Sequence, residues 1–317
     1  MKRVLIVGCA GQDGSYLYEM AKRRGDLVLG LARNFTRRSD AKTCPAVDIA
    51  NAVAVRETVS GFHPDEIYYL AAHHHSSEQT PSETGELIAR SFATHVDSFV
   101  AFLEAARASS PRARLFYAGS SHVFGRPSQA PQTETTPFAP ISPYGISKAA
   151  GIEVCRYYRR HHEIFCSSAI LYNHESPRRP AHFLSQRIVR TALAIKRGTA
   201  SHLTVGHLDA DVDWGYAPDY VDAMMRILQT DTPDDFIVAS GRASRVRDFV
   251  ACVFAHLSLD LAGMVVEDPS LVKKPEQGKI LRGDAVKVMS KTGWRPRHDL
   301  DDIARIMTVE ATKDLDA

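Results

Sequence analysis

The segment Arg3-Val-Leu-Ile-Val7-Gly8-Cys-Ala-Gly11-Gln-Asp-Gly14-Ser-Tyr-Leu-Tyr-Glu-Met-Ala-Lys-Arg-Arg24 decides the fold. Val4 to Val7 form a short apolar run rich in β-branched residues, the pattern of a strand buried in a parallel sheet. The residues after Gly14 read as a helix that stops at Gly25, where a glycine suits the C-terminal end. Glycines at 8, 11 and 14, between a strand and a helix, let the backbone close on a dinucleotide pyrophosphate at the helix N-terminus. Gly8, Gly11, Gln12, Asp13 and Gly14 are therefore candidate cofactor contacts.

Leu27 to Leu31 reads as the second strand, and Arg33 follows it directly. In this architecture the residue that ends strand two meets the adenosine ribose. An acid there suits the 2′-hydroxyl of NAD, and an arginine suits the 2′-phosphate of NADP. No acid precedes Asp40, and Arg37 and Arg38 add positive charge, so the expected cofactor is NADP. Val47-Asp48-Ile49 reads as a short third strand, with Asp48 placed to accept from the adenine amino group and Ile49 beside it. Glu66 to Leu70 is the fourth. Leu70-Ala71-Ala72 ends in small residues that let backbone pass close to the cofactor. His73-His74-His75 come next, at the carboxyl end of a strand, where ligands sit in open α/β sheets. Neighbouring side chains of an extended segment point opposite ways, so His73 and His75 face together. No cysteine or acid stands at a metal-ligand spacing, so these histidines are expected to line a substrate pocket, with no metal.

A long helical stretch from about Thr84 to Ala108 leads to the strand Arg114 to Ala118, which breaks into Gly119-Ser120-Ser121-His122. After a loop, Ser142-Pro143-Tyr144-Gly145-Ile146-Ser147-Lys148 enters another helix. Tyr144 and Lys148 are four residues apart and share one helix face. A bare Tyr-x-x-x-Lys is common, and its weight here comes from the strand and serines before it. The lysine ammonium is expected to lower the tyrosine pKa toward working pH. With Ser120 sharing the proton, the set forms a relay for oxidising an alcohol or reducing a ketone.

Ile164 to Tyr172 is a further strand, followed by a helix with Phe183, Ile188, Val189 and Leu193 inward. His202 to Gly206 reads as a strand, Asp213 to Val221 as the start of a helix, Phe236 to Ser240 as a strand and Val246 to Leu257 as a helix. A short helix closes the chain after Gly293-Trp294-Arg-Pro296. Strand and helix alternate regularly up to Tyr172. This predicts an α/β fold, a Rossmann-type doubly wound parallel sheet with a smaller α/β substrate-binding lobe. The expected division is 1–172 for the nucleotide-binding part, with 213–257 returning to it in part, and 173–317 mainly for the lobe.

The 317 residues are 44% hydrophobic and 24% charged with a formal charge of +2, an ordinary soluble composition. That balance gives no reason to expect nucleic acid or a membrane as partner. No apolar run is long enough to span a bilayer, and Val4 to Val7 is too short for a signal-peptide core. Five scattered cysteines without Cys-x-x-Cys read as reduced thiols, and a cytoplasmic location is expected.

Together these stretches resemble the extended short-chain dehydrogenase/reductase family, and within it the GDP-mannose 4,6-dehydratase family, over almost the whole chain. Gly8 to Gly14, Asp48, Leu70-Ala-Ala72, Ser120, Tyr144 and Lys148 carry the broader likeness. Gly11-Gln-Asp-Gly-Ser-Tyr-Leu17, Glu134-Thr-Thr-Pro-Phe138, Asn173-His-Glu-Ser-Pro-Arg-Arg179 and Asp213-Trp-Gly215 carry the narrower one. The resemblance implies bound NADP, a nucleotide-diphosphate sugar (a GDP-hexose) as substrate, and a homo-oligomer, dimer or tetramer. It places Asn173 and Arg187 near the sugar-nucleotide phosphates, Asn173, Arg179, Tyr144 and Lys148 also by the cofactor, Ser121 with Ser120, His122, Tyr144 and Lys148 among the catalytic residues, and Ser121, His122 and Lys274 by the substrate.

Departures fall where the chemistry should be. The family's Thr-Ser-Glu is Ser120-Ser121-His122 here, so an imidazole replaces the expected base for the sugar C5 proton. The arginine expected before Asp-Trp is Val212. Three functions stay open: a 4,6-dehydratase using His122, an NADPH-consuming 4-keto-6-deoxy sugar reductase or epimerase needing only Ser120, Tyr144 and Lys148, and a non-catalytic NADP-binding protein on the same fold.

Overall fold

The computed structural model describes residues 1–32, 47–73, 84–271 and 281–316, so Arg33, His75 and Lys274 lie outside the described residues. Strand β1 (Arg3–Val7) is central, with Val4 to Val7 wholly buried. It pairs in parallel with β2 (Leu27–Leu31) on one side and β3 (Glu66–Tyr69) on the other. β4 (Arg114–Ala118), β5 (Cys166–Leu171) and β10 (Asp235–Val238) extend the sheet beyond β3, again in parallel. The six-stranded order β2-β1-β3-β4-β5-β10 reverses direction between β1 and β3. Such a switch point opens a crevice at the carboxyl ends of the strands, which is where ligands enter this kind of sheet.

Both faces of the sheet are covered, which is why its strands are apolar runs without alternation. On one face pack α2 (Ala52–Phe62), α4 (Ser98–Ser109) and α5 (Pro143–His161), through Val55, Phe99, Phe102 and Ile152. On the other lie α1 (Gln12–Arg23) and α7 (Ala217–Ile227), joined by Val288 of α9 (Val286–Thr292) and by Trp294 just beyond it. A third cluster unites α6 (Leu184–Lys196), α8 (Val246–His256) and α10 (Leu300–Asp316) through Val189, Phe249 and Ile303. Short ribbons border it: β6 (His174–Glu175) with β9 (Gly215–Tyr216), β7 (Leu203–Val205) with β12 (Val265–Glu267), and β8 (Asp211–Asp213) with β11 (Ala243–Arg245). No helix among the described residues is long and apolar enough to cross a membrane.

Three local readings are corrected. Residues 47–49 form no strand; the Asp48 carboxylate accepts from the Ala50 amide at 3.0 Å, and a turn leads to Asn51, whose side chain caps α2. Two polar groups that satisfy nearby amides bend the chain before a ladder can form. Asp213 ends a strand instead of opening a helix, which begins at Ala217 with Pro218 in its first turn, where proline needs no amide. The C-terminal helix is long, at 17 residues, because Ile303, Ala304 and Met307 bury against the third cluster.

Candidate active site

The glycine loop lies at the switch point. A Cβ on Gly14 would stand 2.2 Å from the Gly8 carbonyl oxygen, so only glycine lets α1 start this close to β1. Gly8 takes φ +93°, and a Cβ there would press on the Ala71 amide nitrogen at 3.0 Å. Leu70 donates its amide to Val7 at 2.9 Å, which holds Leu70-Ala71-Ala72 against the loop. No side chain caps α1 at Gly11, and its first amides are available to an anion. The cradle thus fits a dinucleotide pyrophosphate. Among the other cofactor candidates, Asp48 is exposed in its turn and Ile49 is half-buried against the core under α2.

The side chains of Gln12 and Asp13 are engaged elsewhere. Gln12 donates to the His174 carbonyl at 3.0 Å and accepts from the Ser176 hydroxyl at 2.9 Å. Both Asp13 carboxylate oxygens lie 3.0 Å from His174 Nε2, while His174 Nδ1 donates to the Tyr172 carbonyl at 2.7 Å. Facing a carbonyl and a carboxylate, both ring nitrogens carry hydrogen, so the imidazole is charged. Burial alone would raise the Asp13 pKa, but the His174 charge and Arg179 outweigh it and hold it low. Burial alone would lower that of His174, but Asp13 drives it up. The glycine loop is thereby fastened to the segment after β5 by a buried ion pair.

This pair has a pH signature. A lowered carboxylate pKa stabilises the fold above the ordinary 3.8 and loses its effect as pH falls through the folded value. A raised histidine pKa stabilises below the ordinary 6.5 and loses its effect as pH rises through the folded value. The melting-temperature difference between the native chain and Asp13→Asn is therefore expected to peak at about pH 4–6.5 and shrink above it. A difference that holds constant to about pH 9 would mean that His174 is uncharged.

The proton-relay candidates converge. Ser142 caps α5 by accepting from the Gly145 amide at 3.1 Å, and Pro143 opens the helix. Ser120, at the end of β4, accepts from the His122 amide at 3.3 Å and hydrogen-bonds to the Tyr144 phenol. Ser121 is buried in the 3-10 turn Ser121–Phe124, and His122 is exposed. A Cβ on Gly145 would fall 2.6 Å from the His122 carbonyl oxygen, so this glycine lets the turn close on α5. The His122 ring then stands edge-on to Tyr144, centroids 5.6 Å apart.

Lys148 departs from expectation. Its Nζ is buried, donates to the Ala118 carbonyl at 2.8 Å, and stands 5.8 Å from the Tyr144 ring centroid. Burial brings its pKa down to about 7, with Asp13 opposing. Burial likewise raises the Tyr144 pKa; Ser120 and the Arg179 charge pull it down, and Lys148 is not what lowers it. A lysine stripped of water gives up charge, and a half-charged amine supports a phenolate weakly.

Other candidates stand around this centre. His73 is half-buried just after β3. Asn173 is exposed and accepts the Gly215 amide through its carbonyl at 2.9 Å. Arg179 pairs with Glu175 at 3.3 Å and lies over the Phe183 ring. Arg187 stands in the first turn of α6, half-buried. Val212 packs against the third apolar cluster, which accounts for an apolar residue at that place. Among the described residues no group of histidine, cysteine or acidic side chains could hold a metal ion.

Sequence reading missed His95. It is wholly buried in a π-helical turn, Ala93–Asp97, between α3 (Thr84–Phe92) and α4, with its ring edge-on to Tyr144 at 5.3 Å. A lone histidine in a long helix carries no spacing signal that would single it out.

The family model described as GDP-mannose 4,6 dehydratase matches residues 5–307. The chain is 35% identical to GDP-mannose 4,6 dehydratase 2 of Arabidopsis thaliana, covering 98% of this chain and 86% of the relative. It is 31% identical to the Homo sapiens GDP-mannose 4,6 dehydratase, over 96% and 89%. Among solved structures, RMD from Pseudomonas aeruginosa complexed with NADPH superposes with TM-score 0.82 at 20% identity, over 99% of both chains, a likeness of fold. A family model spanning nearly the whole chain and relatives above 30% identity leave one assignment: this chain belongs to the GDP-mannose 4,6-dehydratase family.

Proposed function

We propose that this chain converts GDP-mannose, or a closely related GDP-hexose, to its 4-keto-6-deoxy form with bound NADP. The observation that carries the reading is one phenol, Tyr144, held by Ser120, edged by His122 and placed beside buried Lys148, in a chain of this family. The glycine cradle and Lys148 would hold NADP, which would supply the chemistry of accepting a hydride from sugar C4 and returning it to C6.

The chain's own residues handle protons and position. Tyr144 Oη takes the C4 hydroxyl proton, with Ser120 sharing the hydrogen bond. The C4 ketone makes the C5 proton acidic, because the carbanion delocalises onto oxygen. His122 takes that proton, since a neutral imidazole is a competent base at pH 7. The imidazolium so formed can hand the proton to the departing C6 hydroxyl, which leaves as water; C5 then takes a proton from solvent as C6 gains the hydride, and Tyr144 returns the C4 proton to solvent, so one water is lost overall. Asn173, Arg179 and Arg187 serve the phosphates in this reading. The purified protein given GDP-mannose should yield a product lighter by one water without added NADPH. No loss of water from GDP-mannose, together with NADPH-consuming reduction of a GDP-4-keto-6-deoxyhexose, would instead support the reductase reading, which histidine at 122 in place of glutamate favours.

For the cofactor, Arg33→Ala should weaken NADP by roughly ten- to a hundredfold, the loss of a charge-assisted hydrogen bond, and NAD much less. Equal affinity of the native chain for NADP and NAD, measured by titration calorimetry, would remove this basis.

A further inference from the structure

His95 does more than fill a cavity. Its Nε2 lies 2.9 Å from the His73 amide, which can only donate, so Nε2 accepts and bears no proton. The proton is therefore on Nδ1, which donates to Ser147 Oγ at 2.7 Å. The Ser147 hydroxyl in turn donates to the Tyr144 carbonyl at 3.0 Å. One neutral imidazole thus joins the strand end after β3 to the first turn of α5, while its edge contacts the phenol ring at 5.3 Å. A protonated ring would set N–H against N–H at His73 and break the link.

The helix is distorted to make this possible. A π turn adds one residue to the ring of the helical hydrogen bond and is frequent at functional sites. Here it frees backbone carbonyls that other hydroxyls take up: Tyr69 donates to the Thr94 carbonyl, and Tyr117 donates to that of His95 at 3.1 Å. Phe99 and Phe102, fully buried, anchor the following turn. The chain holds His95 in one orientation at a cost to helix regularity.

We propose that His95 is a positioning residue for the redox step, a role that rests on Tyr144 being the proton carrier. Fixed as the Nδ1–H tautomer, it sets the phenol of Tyr144 against Ser120 and against His73 at the strand end. A displacement of about 1 Å can cost on the order of a hundredfold in rate.

The test compares substitutions in the NADP-loaded enzyme with a GDP-hexose. His95→Leu keeps the volume and loses both nitrogens; kcat should fall about ten- to a hundredfold, with KM within about threefold of native. His95→Gln offers a carboxamide oxygen to the His73 amide and an NH2 to Ser147. It should restore kcat to within about threefold of native. Ser147→Ala, a smaller change, should lower kcat in the same sense and serves if His95→Leu fails to fold. Normal kcat in His95→Leu or Ser147→Ala overturns the proposal, as does equal impairment of His95→Leu and His95→Gln. Tyr144→Phe run alongside separates the two ideas. If it retains turnover, the reading of Tyr144 fails; if it is inactive while the His95 variants are normal, only the role of His95 fails.

Discussion

Tyr144→Phe is expected to abolish conversion of the sugar while leaving the dinucleotide bound. The substitution removes one hydroxyl and keeps the ring on which His95 and His122 pack edge-on, so the local structure should stand. Ser120 alone cannot replace it, because an isolated serine hydroxyl is a far weaker proton acceptor than a phenolate. General acid–base groups typically contribute about a hundred- to ten-thousandfold in rate, so turnover should fall by roughly that factor. The glycine cradle and Lys148 do not depend on the hydroxyl, and cofactor affinity measured by calorimetry should change little. Near-normal turnover on the true substrate would mean that the redox site is elsewhere.

How the residues gather at this centre explains what could be read in advance. The strand–glycine–helix opening and the β4–serine–α5 region are local patterns, and the alternation of strand and helix implies the parallel sheet. The Tyr144 to Lys148 spacing is helical geometry and needs no tertiary knowledge. The state of Lys148 is different: its pKa of about 7 follows from complete burial beside the Ala118 carbonyl, which no spacing encodes. The same holds for Asp13 and His174, which meet across 161 positions of chain. Val47-Asp48-Ile49 shows the opposite failure. Two apolar residues around an acid fit a strand or a turn equally, and Asp48 chose the nearby amide of Ala50. His95 was illegible because its importance comes from a π turn, whose extra residue is stabilised by Tyr69 and Tyr117 from neighbouring strands.

The second large effect is expected at His122, and it separates water elimination from simple reduction. His122 is exposed, while its backbone is tied to Ser120 and pressed on Gly145. The ring can therefore change with little disturbance to the relay behind it. If it removes the C5 proton, His122→Ala should still oxidise C4 and then stall, with elimination slowed by about a hundred- to ten-thousandfold. The stalled 4-keto sugar can be trapped with borodeuteride and weighed. His122→Glu should recover part of the elimination, since a carboxylate at that position can accept the same proton. The pH profile should change with it: the acid limb left by a working imidazole should move to lower pH when a carboxylate takes its place. Solvent deuterium gives an independent reading. Elimination through a C5 carbanion followed by reprotonation places solvent hydrogen at C5, whereas reduction at C4 leaves C5 untouched. Product formed in heavy water without deuterium at C5, together with near-native rates in His122→Ala, would remove the dehydratase chemistry from this site and leave a reductase relay of Ser120, Tyr144 and Lys148.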